Sequence, residues 1–271
     1  MPLSGFSKLN IFSWTCFEQI DSLVRSQFDA IALRRLLKRL RSGALKFEYV
    51  DDTGTVADFL PSETPHEALI DAVASAFESS FDWFLAYHCC RPVDIGSYYR
   101  SGLVVLDKRQ AIAQFLNWLT TDMGIENVTA ALADQAFDDM EQYSAMRQGY
   151  TYYVFDHRYM SENCRHYFEH GGEYIQGIAR AIDAVAGTAT FDLLHERGRP
   201  TILLLKMPVS KLTFDQKLDL SRKIIGTWAY NMAHWTSSSV MIDSGIPESE
   251  DIPPDSILTH FAPPPEGTYA G

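Results

Sequence analysis

Cysteine is scarce in this chain, and its spacing excludes the common metal and redox motifs. The four cysteines are Cys16, Cys89, Cys90 and Cys164, and no two of them form a Cys-x-x-Cys pair. Zinc ribbons and thioredoxin-type centres need such pairs. Free thiols fit a reducing compartment, so we expect a cytoplasmic protein.

The glycine signatures of several enzyme classes are missing as well. The chain has neither Gly-x-Gly-x-x-Gly nor Gly-x-x-x-x-Gly-Lys-Ser/Thr, so it lacks the main signature of a Rossmann unit and of a P-loop. Gly-x-Ser-x-Gly is also absent, which disfavours an α/β-hydrolase. His-Glu-x-x-His does not occur either.

Long apolar runs are absent too. No uncharged stretch approaches the ~20 residues that a membrane helix needs. The first ten residues lack the basic start and apolar core of a signal peptide. We therefore expect a protein without a membrane partner.

Positive charge is in deficit, with 23 Lys and Arg against 35 Asp and Glu, for a formal net charge of -12. Such a surface repels nucleic-acid phosphates on average. The one basic cluster lies on a predicted helix over residues 15–42 and comprises Arg34, Arg35, Lys38, Arg39 and Arg41. It is either a solvated helix face or a patch that meets an acidic partner or phosphates.

What the chain does contain is ample core-forming material. Hydrophobic residues make up 46% and aromatic residues 13%, which excludes disorder over most of the length. The patterns predict a hairpin at residues 46–60 and helices at 107–119, 126–142, 172–185 and 213–235. Strands are predicted at 83–88, 150–155, 201–206, 238–242 and 257–261.

The order of these elements decides the predicted fold class. Strands and helices interleave irregularly, without the regular alternation of a doubly wound parallel sheet. The sequence therefore predicts an α+β fold, with small mixed or antiparallel sheets surrounded by helices. An N-terminal helical segment with a possible hairpin is predicted over residues 1–80, a core over 81–262 and a flexible tail over 263–271.

Three features follow one another in the predicted core. His88 ends an apolar strand, and Gly102-Leu103 follows about fourteen residues later. An aromatic strand then carries Tyr152 and Tyr153. Finally, a glycine pair precedes a predicted helix whose first residues include a carboxylate, in the segment Gly171-Gly172-Glu173-Tyr174.

This motif order resembles the ADP-ribosyltransferase-like fold, particularly uncharacterised bacterial members, over about residues 83–261. The resemblance implies an enzyme that consumes NAD, by ADP-ribosyl transfer to a protein or nucleic acid or by hydrolysis, in a bacterial toxin or defence setting. It implies His88 and Glu173 as catalytic residues, with His88, Arg91 and either Tyr152 or Tyr153 binding NAD.

The chemistry of these residue types suits that reaction. Cleavage of the nicotinamide bond develops positive charge on the ribose, which a carboxylate such as Glu173 stabilises. Arg91 can pair with a pyrophosphate. One strand tyrosine can stack on nicotinamide, since successive strand residues face opposite sides of a sheet.

Two departures from the family and two alternative functions stay open. Many relatives have glycine where this chain has Cys89, and Glu173 stands at a helix start, where it could serve the helix dipole alone. A non-enzymatic binding or protein-interaction module is the first alternative. A metal-dependent hydrolase is the second, because His166 and His170 are four residues apart and would share one helix face.

Overall fold

The computed structural model describes residues 10–42, 66–125, 128, 148–234 and 240–269. The hairpin predicted at 46–60 and the helix predicted at 126–142 lie outside the described residues. The described helices are α1 (Phe17–Arg25), α2 (Ala30–Arg41), α3 (His66–Ser80), α4 (Ile95–Ser101), α5 (Lys108–Thr121), α6 (His157–Asn163), α7 (His166–Glu169), α8 (Glu173–Ala186) and α9 (Phe214–His234).

The described strands form one six-stranded sheet. They are β1 (Ile11–Phe12), β2 (Trp83–Cys90), β3 (Thr151–Val154), β4 (Thr201–Pro208), β5 (Gly245–Glu248) and β6 (Ile257–Phe261). The strand order is β5-β3-β2-β4-β6, and β1 pairs with β2 in parallel. The pairs β2–β3, β3–β5 and β4–β6 are antiparallel. This arrangement confirms the predicted α+β class.

Two predicted elements differ in detail from the structure. The helix predicted over 15–42 is two helices, because the Asp29 carboxylate accepts hydrogen bonds from the backbone of Ile31 and Ala32 and so begins a new helix. Residues 240–242 are not a strand, and β5 follows them instead. β5 contains Pro247, which an edge strand tolerates because one side of its backbone needs no partner.

The chain divides into two compact units. Unit 1 comprises Met1–Ala86 and Lys206–Ser244, and unit 2 comprises Tyr87–Leu205 and Gly245–Gly271. Within unit 1, α9 packs against α1, α2 and α3, and its buried residues include Leu220, Ile224 and Trp228.

Unit 1 has its core around α9. Trp228 is fully buried, and its Nε1 donates to Oδ1 of Asp21 at 2.9 Å. Phe12 and Phe77 meet edge to face with ring centroids 5.1 Å apart. A buried tryptophan needs such an acceptor, and aromatic pairs prefer this geometry. The residues of the predicted NAD site do not belong to unit 1.

Unit 2 contains every residue of the predicted NAD site. Its helical core is a cluster in which α5 supplies Phe115 and Trp118, α8 supplies Ile178 and Ile182, and a short 3-10 helix supplies Leu194. The 3-10 helix spans Asp192–Glu196 and leads into β4. This core therefore anchors the loop that precedes β4.

The described part of the predicted flexible tail contacts α6. The carboxylate of Glu162 accepts from the backbone of Gly267 and of Tyr269, each at 3.0 Å. The Tyr269 hydroxyl lies 3.2 Å from Nε2 of His157. The sequence pattern did not anticipate these contacts, because a Pro- and Gly-rich tail gives no periodicity to read.

No helix among the described residues combines the length and apolar character that spanning a bilayer requires.

Candidate functional site

The end of β2 holds His88 in one orientation. Its Nδ1 lies 2.7 Å from the backbone carbonyl of Tyr152, and a carbonyl only accepts, so Nδ1 carries the proton. Burial lowers the pKa of His88, and the Tyr152 bond offsets part of that shift. His88 is therefore a neutral imidazole at neutral pH, whose Nε2 is an acceptor.

Nε2 of His88 is the free end of this imidazole. No described residue hydrogen-bonds to it, and it is not among the buried atoms that lack a partner. His88 is half-buried. An imidazole acceptor that is half-buried and unpartnered among the described residues can accept a hydrogen bond from a ligand hydroxyl.

Helix α4 places Tyr98 beside His88. The two ring centroids are 6.3 Å apart, and the Tyr98 hydroxyl hydrogen-bonds to the Cys90 thiol. Burial raises the pKa of Tyr98 well above its usual value, so the phenol stays protonated. Burial also raises the pKa of Cys90 to about 12, which removes Cys90 as a nucleophile at neutral pH.

Gly102 follows the last residue of α4 and is its C-cap. Gly102 has φ +79°, and a Cβ there would lie 2.0 Å from the carbonyl oxygen of Ile252. Leu103 and Ile252 exchange backbone hydrogen bonds of 2.9 Å in both directions. Only glycine allows this approach, so Leu103 and Ile252, which are far apart in sequence, meet in unit 2.

The guanidinium of Arg91 hydrogen-bonds to backbone carbonyls of three other residues. Its Nε donates to the carbonyl of Arg197 at 2.9 Å and its Nη1 to the carbonyl of Phe168 at 2.6 Å, while Nη2 donates to the carbonyl of His195. These bonds join the end of β2 to α7 and to the end of the 3-10 helix at Asp192–Glu196. They also use most of the donors that a pyrophosphate would need.

The loop after the 3-10 helix sits directly on the end of β2. Gly198 has φ +78°, and a Cβ there would meet the carbonyl oxygen of Pro92 at 2.4 Å. The backbone N–H of Arg199 donates to the same carbonyl at 3.0 Å. Together with the hydrogen bond from Arg91, these contacts fix the backbone of Arg197. The sequence alone did not suggest Arg197 as a site residue.

Tyr152 and Tyr153 alternate between the two faces of β3. Tyr153 is only 2% exposed, and burial raises its pKa strongly, with a further contribution from Glu248. Tyr152 is half-buried and pairs with Pro247 of the edge strand. Of the two candidates, Tyr152 is the one that a ligand can reach, and its carbonyl is the group that orients His88.

Glu173 is the first residue of α8, as the glycine pair suggested. Its Oε1 accepts from the Tyr167 hydroxyl at 2.5 Å and lies 3.8 Å from Nε2 of His166. The side chain is 40% exposed. The structure thus joins Glu173 to its own segment, and Arg91 joins that segment to the end of β2 through Phe168.

The histidine pair proposed as a metal site does not form one. His166 belongs to α7 and faces Glu173, while His170 caps α7 and stacks on Phe191 with ring centroids 4.6 Å apart. Among the described residues, no group of three or more His, Cys, Asp or Glu side chains is arranged to hold a metal ion.

The arrangement at the end of β2 is a small polar cluster, which we call the β2-end cluster and define as His88, Tyr98 and Arg197. It combines an open imidazole acceptor, a protonated phenol and a guanidinium that influences the pKa of that phenol. Such a set can bind a ligand that carries hydroxyl and anionic groups. The sequence suggested His88 from its position at a strand end, whereas no motif in the sequence suggested Arg197.

Comparison of the chain with protein-family models, with curated proteins and with solved structures finds no match. The resemblance to the ADP-ribosyltransferase-like fold therefore stays a prediction.

Proposed function

We propose that unit 2 binds NAD and cleaves its nicotinamide–ribose bond. The observation that carries this proposal is His88, a neutral imidazole fixed by the Tyr152 carbonyl, whose Nε2 has no hydrogen-bond partner among the described residues. That nitrogen accepts a hydrogen bond from a ribose hydroxyl.

Glu173 is the proposed charge-stabilising carboxylate. The bond between nicotinamide nitrogen and ribose C1′ breaks, and its electron pair leaves with nicotinamide. The ribose then carries positive charge, which a carboxylate stabilises. Water or a nucleophile of a macromolecular acceptor adds to C1′ and gives up its proton to solvent. The partly exposed side chain of Glu173 supports this role.

Release of nicotinamide from NAD by the full chain is the direct test. We expect Glu173→Gln to lower turnover by about a hundredfold, because one charge-stabilising group is lost. Glu169→Gln is the matched control, since Glu169 is a more exposed carboxylate at the end of α7 in the same segment, and it should retain turnover within about twofold. Equal turnover by wild type, Glu173→Gln and His88→Ala would overturn the proposal.

Binding of NAD without turnover is a second candidate function. It is favoured by the hydrogen bond from Tyr167 to Glu173 and by the position of Glu173 in the first turn of α8, where a carboxylate stabilises a helix without any chemistry. In that case NAD binds, no nicotinamide is released, and Glu173→Gln leaves the affinity unchanged. Titration calorimetry alongside the release assay separates the two functions.

A further inference from the structure

We propose that Arg197 is the residue that binds a phosphoryl group of the ligand, in place of the arginine that the sequence suggested. The proposal rests on the proposed function for the identity of the ligand, a nicotinamide nucleotide. It rests on the geometry of unit 2 for the choice of residue. The two arginines differ in which hydrogen-bond donors are still available.

The guanidinium of Arg197 has no acceptor within the described part of the chain. Its Nε is buried without a hydrogen-bond partner, and no described carboxylate or carbonyl pairs with the rest of the group. An arginine always stays charged in a protein, and a desolvated cation costs free energy unless an anion meets it. Arg91, by contrast, donates to three carbonyls.

The guanidinium of Arg197 is also held in place before any ligand arrives. Its backbone carbonyl accepts from Arg91, and Gly198 lets its loop lie against Pro92. One face of the guanidinium lies over the buried ring of Trp118, with Cζ 5.9 Å from the ring centroid. A fixed arginine loses little conformational freedom on binding an anion, which favours affinity.

The charged groups around Arg197 leave its guanidinium available to an anionic ligand. Its pKa is lowered by burial, and the Tyr98 phenol offsets part of that shift. The nearest carboxylate along the chain, Glu196, lies 3.0 Å from Nε2 of His195 instead. Tyr98 is also the ring beside His88, at 6.3 Å between centroids. A phosphoryl group on Arg197 would therefore share its cluster with the ribose-binding imidazole.

Binding of nicotinamide mononucleotide and of nicotinamide riboside tests this inference, because the two probes differ only by one phosphoryl group. Calorimetry on the full chain should show the mononucleotide binding about tenfold more tightly, since charge-assisted bonds to a guanidinium add that much. Arg197→Gln should remove this preference. Arg199→Gln is the matched control, being an exposed arginine two residues along the same loop, and should keep it.

The outcomes separate this inference from the proposed function. A mononucleotide preference that survives Arg197→Gln, or that disappears in Arg199→Gln, would overturn it, as would a folded wild type that binds neither probe. If Arg197→Gln fails to fold, the same measurement is made on Arg197→Lys, which keeps the positive charge and loses the planar guanidinium. The preference of Arg197→Lys for the mononucleotide over the riboside should be severalfold smaller than that of wild type. An Arg197-dependent preference without nicotinamide release from NAD would uphold the inference and refute the catalytic proposal.

Discussion

Unit 2 contains two clusters built from the same residue types. The β2-end cluster has His88, Tyr98 and Arg197. A second group, which we call the α6 cluster, has His157, Tyr87 and Arg158 together with Asp156 and Tyr269. In both, burial lowers the pKa of the histidine and raises the pKa of the tyrosine. The α6 cluster has two further members, the carboxylate of Asp156 and the phenol of Tyr269, and the carboxylate is the member that pairs with the arginine.

In the α6 cluster the Asp156 carboxylate forms an ion pair with the guanidinium of Arg158. Asp156 is fully buried and accepts from Nε and Nη2 of Arg158, both at 2.8 Å. His157 is enclosed by aromatic rings, including Tyr87 at 4.5 Å between centroids. Arg197 has no such described partner. The comparison indicates that a paired arginine holds the fold together, whereas an unpaired one is available to a ligand.

The largest expected effect separates the two arginines through stability. Asp156→Asn removes the carboxylate charge that accepts from Nε and Nη2 of the nearly buried Arg158, and we expect a loss of about 4 kcal/mol in the free energy of unfolding. Arg197→Gln breaks no described hydrogen bond of its side chain and should change that free energy by less than about 1 kcal/mol. Urea unfolding at neutral pH measures both.

Similar losses from the two substitutions would break the comparison. It would then follow that Arg197 is as much a part of the folded framework as Arg158. Arg158→Lys offers an intermediate case, because it keeps the charge and forfeits the paired bonds to Asp156.

A second, smaller effect concerns acid. Burial lowers the pKa of His157 to about 4, despite an opposing contribution from Asp156, while an unfolded histidine titrates near 6.5. The unfolded state therefore binds more protons than the folded state between these values. The stabilisation from a neutral His157 is complete above about pH 6.5 and is lost as the pH falls, by about 2 kcal/mol at pH 5 and about 3 kcal/mol at pH 4.

His157→Gln should flatten this dependence, because glutamine does not titrate. Free energies of unfolding at pH 7, 5 and 4 for wild type and His157→Gln give the difference directly. An unchanged slope in His157→Gln would assign the acid sensitivity elsewhere, and His88, whose pKa is also lowered by burial, would be the next group to replace.

The comparison also explains how far the sequence alone could lead. The α+β class, the strand that ends near His88 and the helix that begins at Glu173 follow from local periodicity and from glycine positions. The roles of Arg91 and Arg197 do not, because each depends on whether acceptors more than seventy residues away along the chain approach its donors. Arg91 looked available only because its partners are backbone carbonyls, which every sequence contains.

The packing of α9 was out of reach for a related reason. Six successive residues of α9, 224–229, are buried, and such a run could pack against any apolar surface, so its pattern does not say that α1, α2 and α3 are its neighbours. The contacts of the tail are equally invisible, since they join backbone N–H groups of Gly267 and Tyr269 to one carboxylate, Glu162.

The smallest expected effect sharpens the comparison at the tail. Tyr269→Phe removes the hydroxyl that lies 3.2 Å from Nε2 of His157, whose Nδ1 is already buried without a partner. We expect a loss of about 1 kcal/mol in the free energy of unfolding. Tyr99→Phe is the matched control, because Tyr99 makes the same type of bond to His260, at 2.8 Å but on the surface, where water replaces a lost partner. If Tyr99→Phe costs as much as Tyr269→Phe, burial adds nothing to the tail contact, and the α6 cluster is less closed to solvent than its neutral histidine implies.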